Sequence, residues 1–257
     1  MKHIVMFSGG AGSYITAKRV IEQHGKEDVV LLFADTKIED EDLYRFLIDA
    51  EQALGVTITR IAEGRTPWEV FRDVRFLGNS RVDPCSAILK RDFIDAWIKA
   101  RYAPDECRVY VGIDWTEIHR YERLAPRKLP FIYLAPLATE SSLMIDKEAM
   151  LAEMKADGIK VPRLYGMGFA HNNCGGFCIK AGHGHFKRLL EELPERYAEH
   201  EAKEEELRQY LGKPVAILRD RSGGKVMPLP LAEFRKRVQK APEQIDSFDI
   251  GGCGCAI

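Results

Sequence analysis

The stretch Ser8–Ser13, SGGAGS, lies between an apolar run, HIVMFS (residues 3–8), and a segment of helical character, residues 13–24. Glycine reaches backbone conformations that are closed to other residues and lets a ligand approach the main chain closely. The N–H groups at the start of a helix form an anion-binding site. The stretch therefore predicts a phosphate-binding loop between a strand and a helix.

The same alternation of strand and helix continues along the chain. Short β-branched runs typical of buried parallel strands alternate with amphipathic segments, several of which stop at a glycine. Strand patterns occupy residues 3–8, 28–35, 56–62, 107–113 and 131–137, and helical patterns occupy 13–24, 38–55 and 86–102. We expect an α/β fold with a parallel sheet covered by helices on both faces.

From residue 145 onward the patterns are mostly helical. A helix ends at Gly158, one long or broken helix with charged, solvated faces covers 185–212, and residues 214–229 read as a hairpin that is followed by a short helix. We expect two domains, a nucleotide-binding domain at 1–204 and a C-terminal extension at 205–257.

Composition and charge narrow the functional classes. The chain has 257 residues, a formal net charge of -1 and 46% hydrophobic residues, which is ordinary for a soluble protein. No apolar run approaches the roughly 20 residues of a membrane helix, and the first residues read as a strand without a secretory signal. We expect a cytoplasmic protein with no membrane partner.

The sequence of the glycine-rich loop does not match two common phosphate-binding motifs. A Walker A loop requires Lys-Ser or Lys-Thr after the glycines, and none follows here. The dinucleotide fingerprint G-x-G-x-x-G fails because Ile15 occupies the third glycine position. The remaining readings are a plain tight turn and a cradle for a diphosphate.

The loop resembles the SGGxxS pyrophosphate loop of the PP-loop, or adenine nucleotide alpha-hydrolase-like, superfamily. Many ATP-using members carry Lys-Asp where this chain has Ala11-Gly12. Three downstream segments, FADT (33–36), VDPCSAILKRDF (82–93) and VGIDWTEIHRYERL (111–124), resemble the phosphoadenylyl-sulfate (PAPS) reductase-like branch. The resemblance covers roughly residues 1–185 and implies nucleotide binding by Ser8, Gly9, Gly10, Gly12, Ser13, Asp35, Thr36, Gly112, Arg120 and Arg123, with Lys90 as a catalytic residue.

Six cysteines are present, and five of them lie in polar or glycine-rich surroundings. Cys107 opens an apolar run and reads as a buried core residue. Cys174 and Cys178 form a C-x3-C pair, one residue wider than the usual zinc spacing. Thiolates bind either iron–sulfur clusters or Zn²⁺, and His171, His183 and His185 lie close by in sequence.

The resemblance adds Cys85 to this group and favours a [4Fe-4S] cluster over zinc. In adenylyl-sulfate-type reductases a Cys-Cys pair and a later C-x2-C hold such a cluster, whereas here Ser86 replaces the second cysteine. Cys85, Cys174 and Cys178 would be three ligands. Either one iron stays open to hold a sulfide for transfer, as the resemblance to non-redox tRNA thiolation enzymes implies, or Cys253 or Cys255 is the fourth ligand; a site without metal is the remaining alternative. These two residues of the GGCGC tail are also candidate nucleophiles, because the tail resembles the terminal Cys-Gly of PAPS reductases.

Three functions remain open. The first is an ATP- and Mg²⁺-dependent enzyme that adenylates an acceptor and transfers sulfur to it from a sulfur donor; the acceptor is a nucleic acid or a small molecule. The second is a PAPS or adenylyl-sulfate reductase with a thioredoxin-like reductant. The third is a non-catalytic nucleotide- or cluster-binding module of a complex. The retained Ser, Gly, Gly and Ser of the loop favour the first, because they suit a true pyrophosphate.

Overall fold

The computed structural model describes residues 1–79, 81–222, 224–249 and 251. Its main sheet has five strands in the order β3-β2-β1-β4-β5, all parallel. The strands are β1 (Lys2–Met6), β2 (Val29–Ala34), β3 (Ile58–Ile61), β4 (Cys107–Val111) and β5 (Tyr133–Leu134), and a separate antiparallel hairpin consists of β6 (Leu218–Asp220) and β7 (Met227–Leu229). The expected α/β class is confirmed.

The helices fall between the strands and then dominate the second half of the chain. The first half contains α1 (Ala11–His24), α2 (Glu41–Leu54), α3 (Pro67–Asp73), α4 (Pro84–Ser86), a π-helical turn (Ala87–Arg91), α5 (Asp92–Lys99), α6 (Ile118–Lys128) and α7 (Pro136–Thr139). The second half contains α8 (Lys147–Ala156), α9 (Arg163–Gly166), α10 (His183–Glu192), α11 (Pro194–Leu211) and α12 (Leu231–Lys240).

Both faces of the sheet are buried. Because side chains alternate along a strand, Val5 and Phe7 enter a core cluster that also contains α1, α2 and α8 residues. Ile4 and Met6 enter the opposite cluster, which includes Ile94 and Ile98 of α5 and the fully buried Cys107. Cys107 is therefore a core residue, as its apolar surroundings predict.

The strand order reverses direction at β1. The chain passes from β1 to β2 and β3 on one side, and then returns to place β4 and β5 on the other side. In open parallel sheets the crevice at such a reversal, beyond the carboxyl ends of the two central strands, is where ligands bind. Here that crevice lies between the ends of β1 and β4, and the glycine-rich loop opens into it.

Several elements differ from the sequence patterns for local reasons. Helix α2 begins at Glu41 rather than near residue 38, because the Asp40 carboxylate accepts from the N–H of Asp42 and caps the helix. The strand expected over 131–137 is limited to β5, since Pro136 starts α7. The charged segment after residue 183 is two helices, with Pro194 beginning the second. Helix α6 has no counterpart among the elements expected from the sequence.

A third core cluster joins the second half of the chain to α3. Phe177, Phe186, Tyr197 and Phe234 pack there with Trp68 and Phe71. Helix α11 runs through residue 204, where the sequence places the domain boundary, and the hairpin and α12 bury Leu218, Leu229 and Leu231 in the same cluster. The division at 204 stays a prediction.

Glu204 departs from the expected solvated face of α11. Its side chain is buried, and its two carboxylate oxygens accept from the backbone N–H groups of Ile217 (2.9 Å) and Leu231 (2.6 Å). Burial raises the pKa of this carboxyl group, an effect that the two donors partly offset. The residue thus ties both ends of the hairpin to α11.

The length and apolar character of the helices indicate whether any of them could cross a membrane. No helix in the described part of the chain combines the length and the apolar character that crossing a bilayer requires.

We predict that Glu204→Ala lowers the free energy of unfolding by at least about 2 kcal/mol, because it leaves two buried N–H groups without acceptors. The measurement is urea denaturation followed by circular dichroism. Glu205→Ala, which removes an exposed carboxylate on the same helix, is the matched control. Equal stabilities of the two variants would contradict the role given to Glu204.

Candidate functional site

The SGGAGS loop forms the first turn of α1 at the crevice of the sheet. Gly9 has a left-handed φ of 77°, and Gly10 caps α1 without any side-chain hydrogen bond. Ser13 Oγ donates to the carbonyl of Gly10 (2.8 Å), and Ser8 Oγ donates to Ser13 Oγ (3.3 Å). The first N–H groups of a helix have no partner within the helix. The loop therefore presents backbone donors and two hydroxyls of the kind that bind phosphate.

Gly12 and Gly112 bring two backbones into close contact. A Cβ on Gly12 would lie 2.6 Å from the carbonyl oxygen of Gly112, and a Cβ on Gly112 would lie 2.5 Å from the amide nitrogen of Ser13. The first turn of α1 thus packs directly on the segment that follows β4. Glycine at position 12 therefore serves this packing.

The segment before the C-x3-C pair covers the loop, and the sequence interpretation assigned no role to its residues. Asn172 is buried and its amide donates to the carbonyl of Gly9 (2.9 Å). In the amide orientation that satisfies its neighbours, Asn173 donates to the carbonyls of Ser8 and Asn172, each at 3.2 Å. The loop is therefore fixed by two residues that directly precede Cys174.

Tyr165 is a third contact that sequence reasoning missed. Its hydroxyl accepts from the N–H of Ala11 (3.0 Å), at the first residue of α1. Burial raises the pKa of Tyr165 to about 12, so the hydroxyl keeps its proton and remains a donor. No local pattern in the sequence marks Tyr165, and only the fold brings it to the loop.

Positive charges surround Tyr165. Lys147 Nζ lies 4.6 Å from the centre of the Tyr165 ring and donates to the carbonyl of Ala170 (2.6 Å). Burial, and then the charges of Lys147 and Arg120, lower the pKa of His171 to about 4. His171 is therefore neutral at pH 7, and Arg120 and Lys147 supply the positive charge on this side of the loop.

The two predicted arginines have different surroundings. Arg120 forms an ion pair with Glu117 (2.6 Å) and lies close enough to His171 to affect its pKa. Arg123 is exposed, and its Nε donates to the carbonyl of His119 within the same helix. Arg120 thus lies near His171, which directly precedes Asn172, and Arg123 has no contact with another predicted site residue in the described chain.

A second group of predicted residues lies at the carboxyl end of β2. Asp35 accepts from the N–H of Lys37 (2.8 Å) and from the hydroxyl of Tyr44 (3.0 Å). Thr36 Oγ1 donates to Glu39 Oε1 (2.8 Å), and both residues are buried. Asp35 thus orders the turn after the strand, and Thr36 positions a buried carboxylate that the sequence interpretation did not single out.

Glu39 joins Thr36 to Lys90 and Cys174. Lys90 is only 8% exposed, and its Nζ lies 3.6 Å from Glu39 Oε1 and 3.9 Å from Cys174 Sγ. The other oxygen of Glu39 accepts a short hydrogen bond from the N–H of Cys174. Lys90 lies in the π-helical turn between α4 and α5. A buried ammonium group, a carboxylate and a thiol therefore meet in one place.

The C-x3-C loop is strained at its first cysteine. Cys174 adopts a φ of 50°, and Gly175 and Gly176 follow at 60° and 81°. Left-handed conformations at residues other than glycine are uncommon and cluster at functional sites. The hydrogen bond to Glu39 holds Cys174 in this conformation.

The other two predicted ligands lie in the third core cluster. Cys178 is 7% exposed and belongs to that cluster, and the half-buried Cys85 packs against it. His185 Nε2 is bonded to the carbonyl of Gly176 (2.7 Å), and His183 Nε2 to that of Arg219 (3.0 Å). Both histidines thus have backbone partners.

Cys253 and Cys255 lie outside the described residues. Within the described ranges, no three His, Cys, Asp or Glu side chains are grouped as a metal site. Cys85, Cys174 and Cys178 therefore do not by themselves meet the donor set that a cluster or Zn²⁺ requires. The last described residue, Gly251, pairs with Ala181, three residues after Cys178.

Comparison with known proteins gives limited information. No protein-family model matches the chain. An uncharacterized protein of Methanocaldococcus jannaschii is 27% identical over 228 residues, which cover 82% of this chain and 42% of the relative. The chain spans less than half the length of that relative.

His200 packs against the C-x3-C loop. Its ring stacks on Phe177, with centroids 3.9 Å apart, and its Nδ1 accepts from the indole N–H of Trp68 (3.1 Å). Burial, and then the charge of Arg196, lower the pKa of His200 to about 3.

This lowered pKa predicts a pH dependence of stability. Between pH 6.5 and about 3 the unfolded chain binds a proton at His200 that the folded chain does not, so stability falls as the pH falls, by up to about 1.4 kcal/mol per pH unit. In His200→Gln this contribution is absent, and the free energy of unfolding should vary less steeply between pH 6 and 4. Urea denaturation at several pH values measures the slope, with His119→Gln at an exposed position as control; identical slopes for wild type and His200→Gln would contradict it.

We also predict that Gly12→Ala destabilises the fold by about 1–3 kcal/mol, because the added methyl group overpacks the contact with Gly112. Gly166→Ala is the matched control, since its Cβ would meet no atom within 4 Å. Thermal denaturation compares the two. A Gly12→Ala protein as stable as wild type would show that the two backbones separate without cost.

Proposed function

We propose that this chain is an adenine-nucleotide-binding enzyme of the PP-loop, PAPS reductase-like kind, which uses ATP to adenylate an acceptor and then transfers sulfur to it. The observation that carries the proposal is the contact between the SGGAGS loop and the Asn172–Asn173 pair. It places a phosphate-type loop, at the crevice of a parallel sheet, directly beside the residue that bears a thiol, Cys174.

The first half of the reaction uses the loop. The pyrophosphate of ATP, with Mg²⁺, rests on residues 8–13, where backbone donors and the hydroxyls of Ser8 and Ser13 face it. The hydroxyl of Tyr165 and the charges of Arg120 and Lys147 flank the same loop. An acceptor oxygen attacks the α-phosphorus, the bond to the bridging oxygen breaks, and diphosphate leaves with both electrons of that bond. Fixed positive charge and N–H dipoles stabilise the charge that develops on the phosphates.

The second half uses Cys174. The Cys174 thiolate first attacks the outer sulfur of a donor persulfide, which forms the Cys174 persulfide and releases the donor as a thiolate. The terminal sulfur then attacks the adenylated carbon of the acceptor while AMP leaves. A second cysteine thiolate then attacks Cys174 Sγ, which releases the thiolated acceptor and leaves a disulfide for a thioredoxin-like reductant. Lys90 faces Cys174 Sγ at 3.9 Å, and a neighbouring positive charge favours a thiolate.

The predicted [4Fe-4S] cluster, and Zn²⁺ as its alternative, stay predictions. Their ligands would be Cys85, Cys174 and Cys178 with Cys253 or Cys255, and the described residues alone do not complete such a set. No step of the proposed reaction is assigned to the metal.

A sulfonucleotide reductase is the second candidate, and the position of the C-terminal segment supports it. Asp249 accepts from the N–H groups of His183 and Gly184, and Gly251 pairs with Ala181. The described chain thus ends beside the C-x3-C loop, two residues before Cys253. In this reaction a tail thiolate attacks the sulfur of PAPS or adenylyl-sulfate, and the nucleotide leaves.

Titration of anaerobic protein with ATP, PAPS and adenylyl-sulfate by calorimetry, with iron and zinc analysis of the same sample, separates these functions. We expect ATP with Mg²⁺ to bind at least tenfold more tightly than either sulfonucleotide. If PAPS or adenylyl-sulfate binds as tightly as ATP, the reductase replaces the proposed function.

We further predict that Lys90→Ala and Cys174→Ser each reduce sulfur transfer at least 100-fold while changing the Kd for ATP less than threefold, since both residues serve the thiol rather than the loop. Lys99→Ala, an exposed lysine of the same helical segment, is the matched control. Measurements of ATP binding and of persulfide formation on each variant check this. Loss of ATP binding in Lys90→Ala would assign Lys90 to the phosphates instead.

A further inference from the structure

The hairpin and α12 carry a concentration of positive charge that the whole chain does not have. Residues 213–240 contain eight Lys and Arg against two acidic residues, although the net charge of the full chain is -1. In the sequence these residues are dispersed between the apolar positions of three elements. Four of the eight, Arg219, Arg221, Arg237 and Lys240, lie on one surface.

That surface is a groove of about 860 Å³ between the hairpin, α12 and the segment 244–251. It is lined by the basic side chains of Lys180, His183, Arg219, Arg221, Arg237 and Lys240. Its two acidic side chains are already engaged: Asp220 accepts from Arg237 (2.8 Å), and Asp249 accepts from the N–H of His183 (3.0 Å).

Two of the basic residues are available to a ligand. Arg221 and Lys240 are exposed, and neither forms an ion pair with another described residue. A groove with unneutralised cations attracts a ligand of repeated negative charge.

An exposed aromatic residue, Phe248, directly precedes Asp249, which lines the groove. Phe248 is 92% exposed and lies in the segment whose neighbours Gln244, Ile245 and Asp249 line the groove. A cationic groove with an adjacent exposed aromatic ring suits single-stranded nucleic acid, whose phosphates follow the charges while a base stacks on the ring.

The groove adjoins both cysteine-bearing segments. Lys180 lies two residues after Cys178, and its Nζ is 3.6 Å from a carboxylate oxygen of Asp83, two residues before Cys85. One end of the groove therefore lies within two residues, along the chain, of Cys178.

We infer that this groove binds single-stranded nucleic acid. The inference does not rest on the proposed function, because the groove and the glycine-rich loop share no residue.

The test is fluorescence anisotropy of the full chain with labelled single-stranded RNA and DNA of about 20 nucleotides, between about 50 and 200 mM salt. We expect binding that weakens steeply with salt. Arg221→Glu with Lys240→Glu should reduce the affinity at least tenfold and lower the slope of log affinity against log salt by about two. Phe248→Ala should weaken binding about fivefold or more without changing that slope.

The matched control is Lys26→Glu with Lys155→Glu, which changes the net charge equally at exposed lysines elsewhere in the fold. It should alter affinity less than twofold. Equal losses in the two double variants, no binding at about 50 mM salt, or competition by polyglutamate as strong as by an oligonucleotide would overturn the inference. The Kd for ATP, measured on the same proteins, should be unchanged by Arg221→Glu with Lys240→Glu. If the wild-type chain binds the oligonucleotide but does not bind ATP, the proposed function is contradicted, whereas the inference that the groove binds nucleic acid is supported.

Discussion

The contact between Gly12 and Gly112 is the constraint on which the site depends. It lets the first turn of α1 lie against the segment after β4, so that one helix N-terminus closes the crevice between the two central strands. A side chain at either position would push the helix away from β4. The loop, the residues that cover it and the thiol-bearing segment are all arranged around this approach of two backbones.

Glu39 organises the other half of the site. Its carboxylate accepts from Thr36 and from the N–H of Cys174, and it neutralises the buried Lys90. Burying a lone ammonium group or a lone carboxylate is costly, and the cost falls when the two are paired and hydrogen-bonded. The Glu39 side chain thus holds together three separate parts of the chain: the end of β2, the π-helical turn and the C-x3-C loop.

The fold was largely predictable because its signals are local. The apolar runs that became β1 and β2, the stop of α1 at Gly25 and the start of α3 at Pro67 each follow from a few adjacent residues. Helix α6 was missed although Tyr121 and Leu124 form a short apolar face against a core cluster, because none of its residues is fully buried and Pro126 lies inside it. The short strand β5 was overestimated because an apolar run does not distinguish a strand from a buried helical turn until its proline is considered.

The site was predictable only in part. SGGAGS, Lys90 and Cys174 stand out in the sequence through local patterns, whereas Glu39, Tyr165 and Asn172 act through contacts between residues that are distant in sequence. Glu204 was read as solvated for the same reason, since a charged residue in a charged helix gives no local sign of burial. Composition and periodicity carry no information about contacts between residues that are far apart in the sequence.

The two asparagines before Cys174 have a thermodynamic consequence. Because Asn172 and Asn173 bond to the carbonyls of Gly9 and Ser8, the SGGAGS loop and the cysteine loop share one set of hydrogen bonds. Coupling between two binding equilibria is reciprocal. By whatever factor a ligand on the SGGAGS loop changes the equilibrium for modification of Cys174, modification of Cys174 must change the affinity of the loop for that ligand by the same factor.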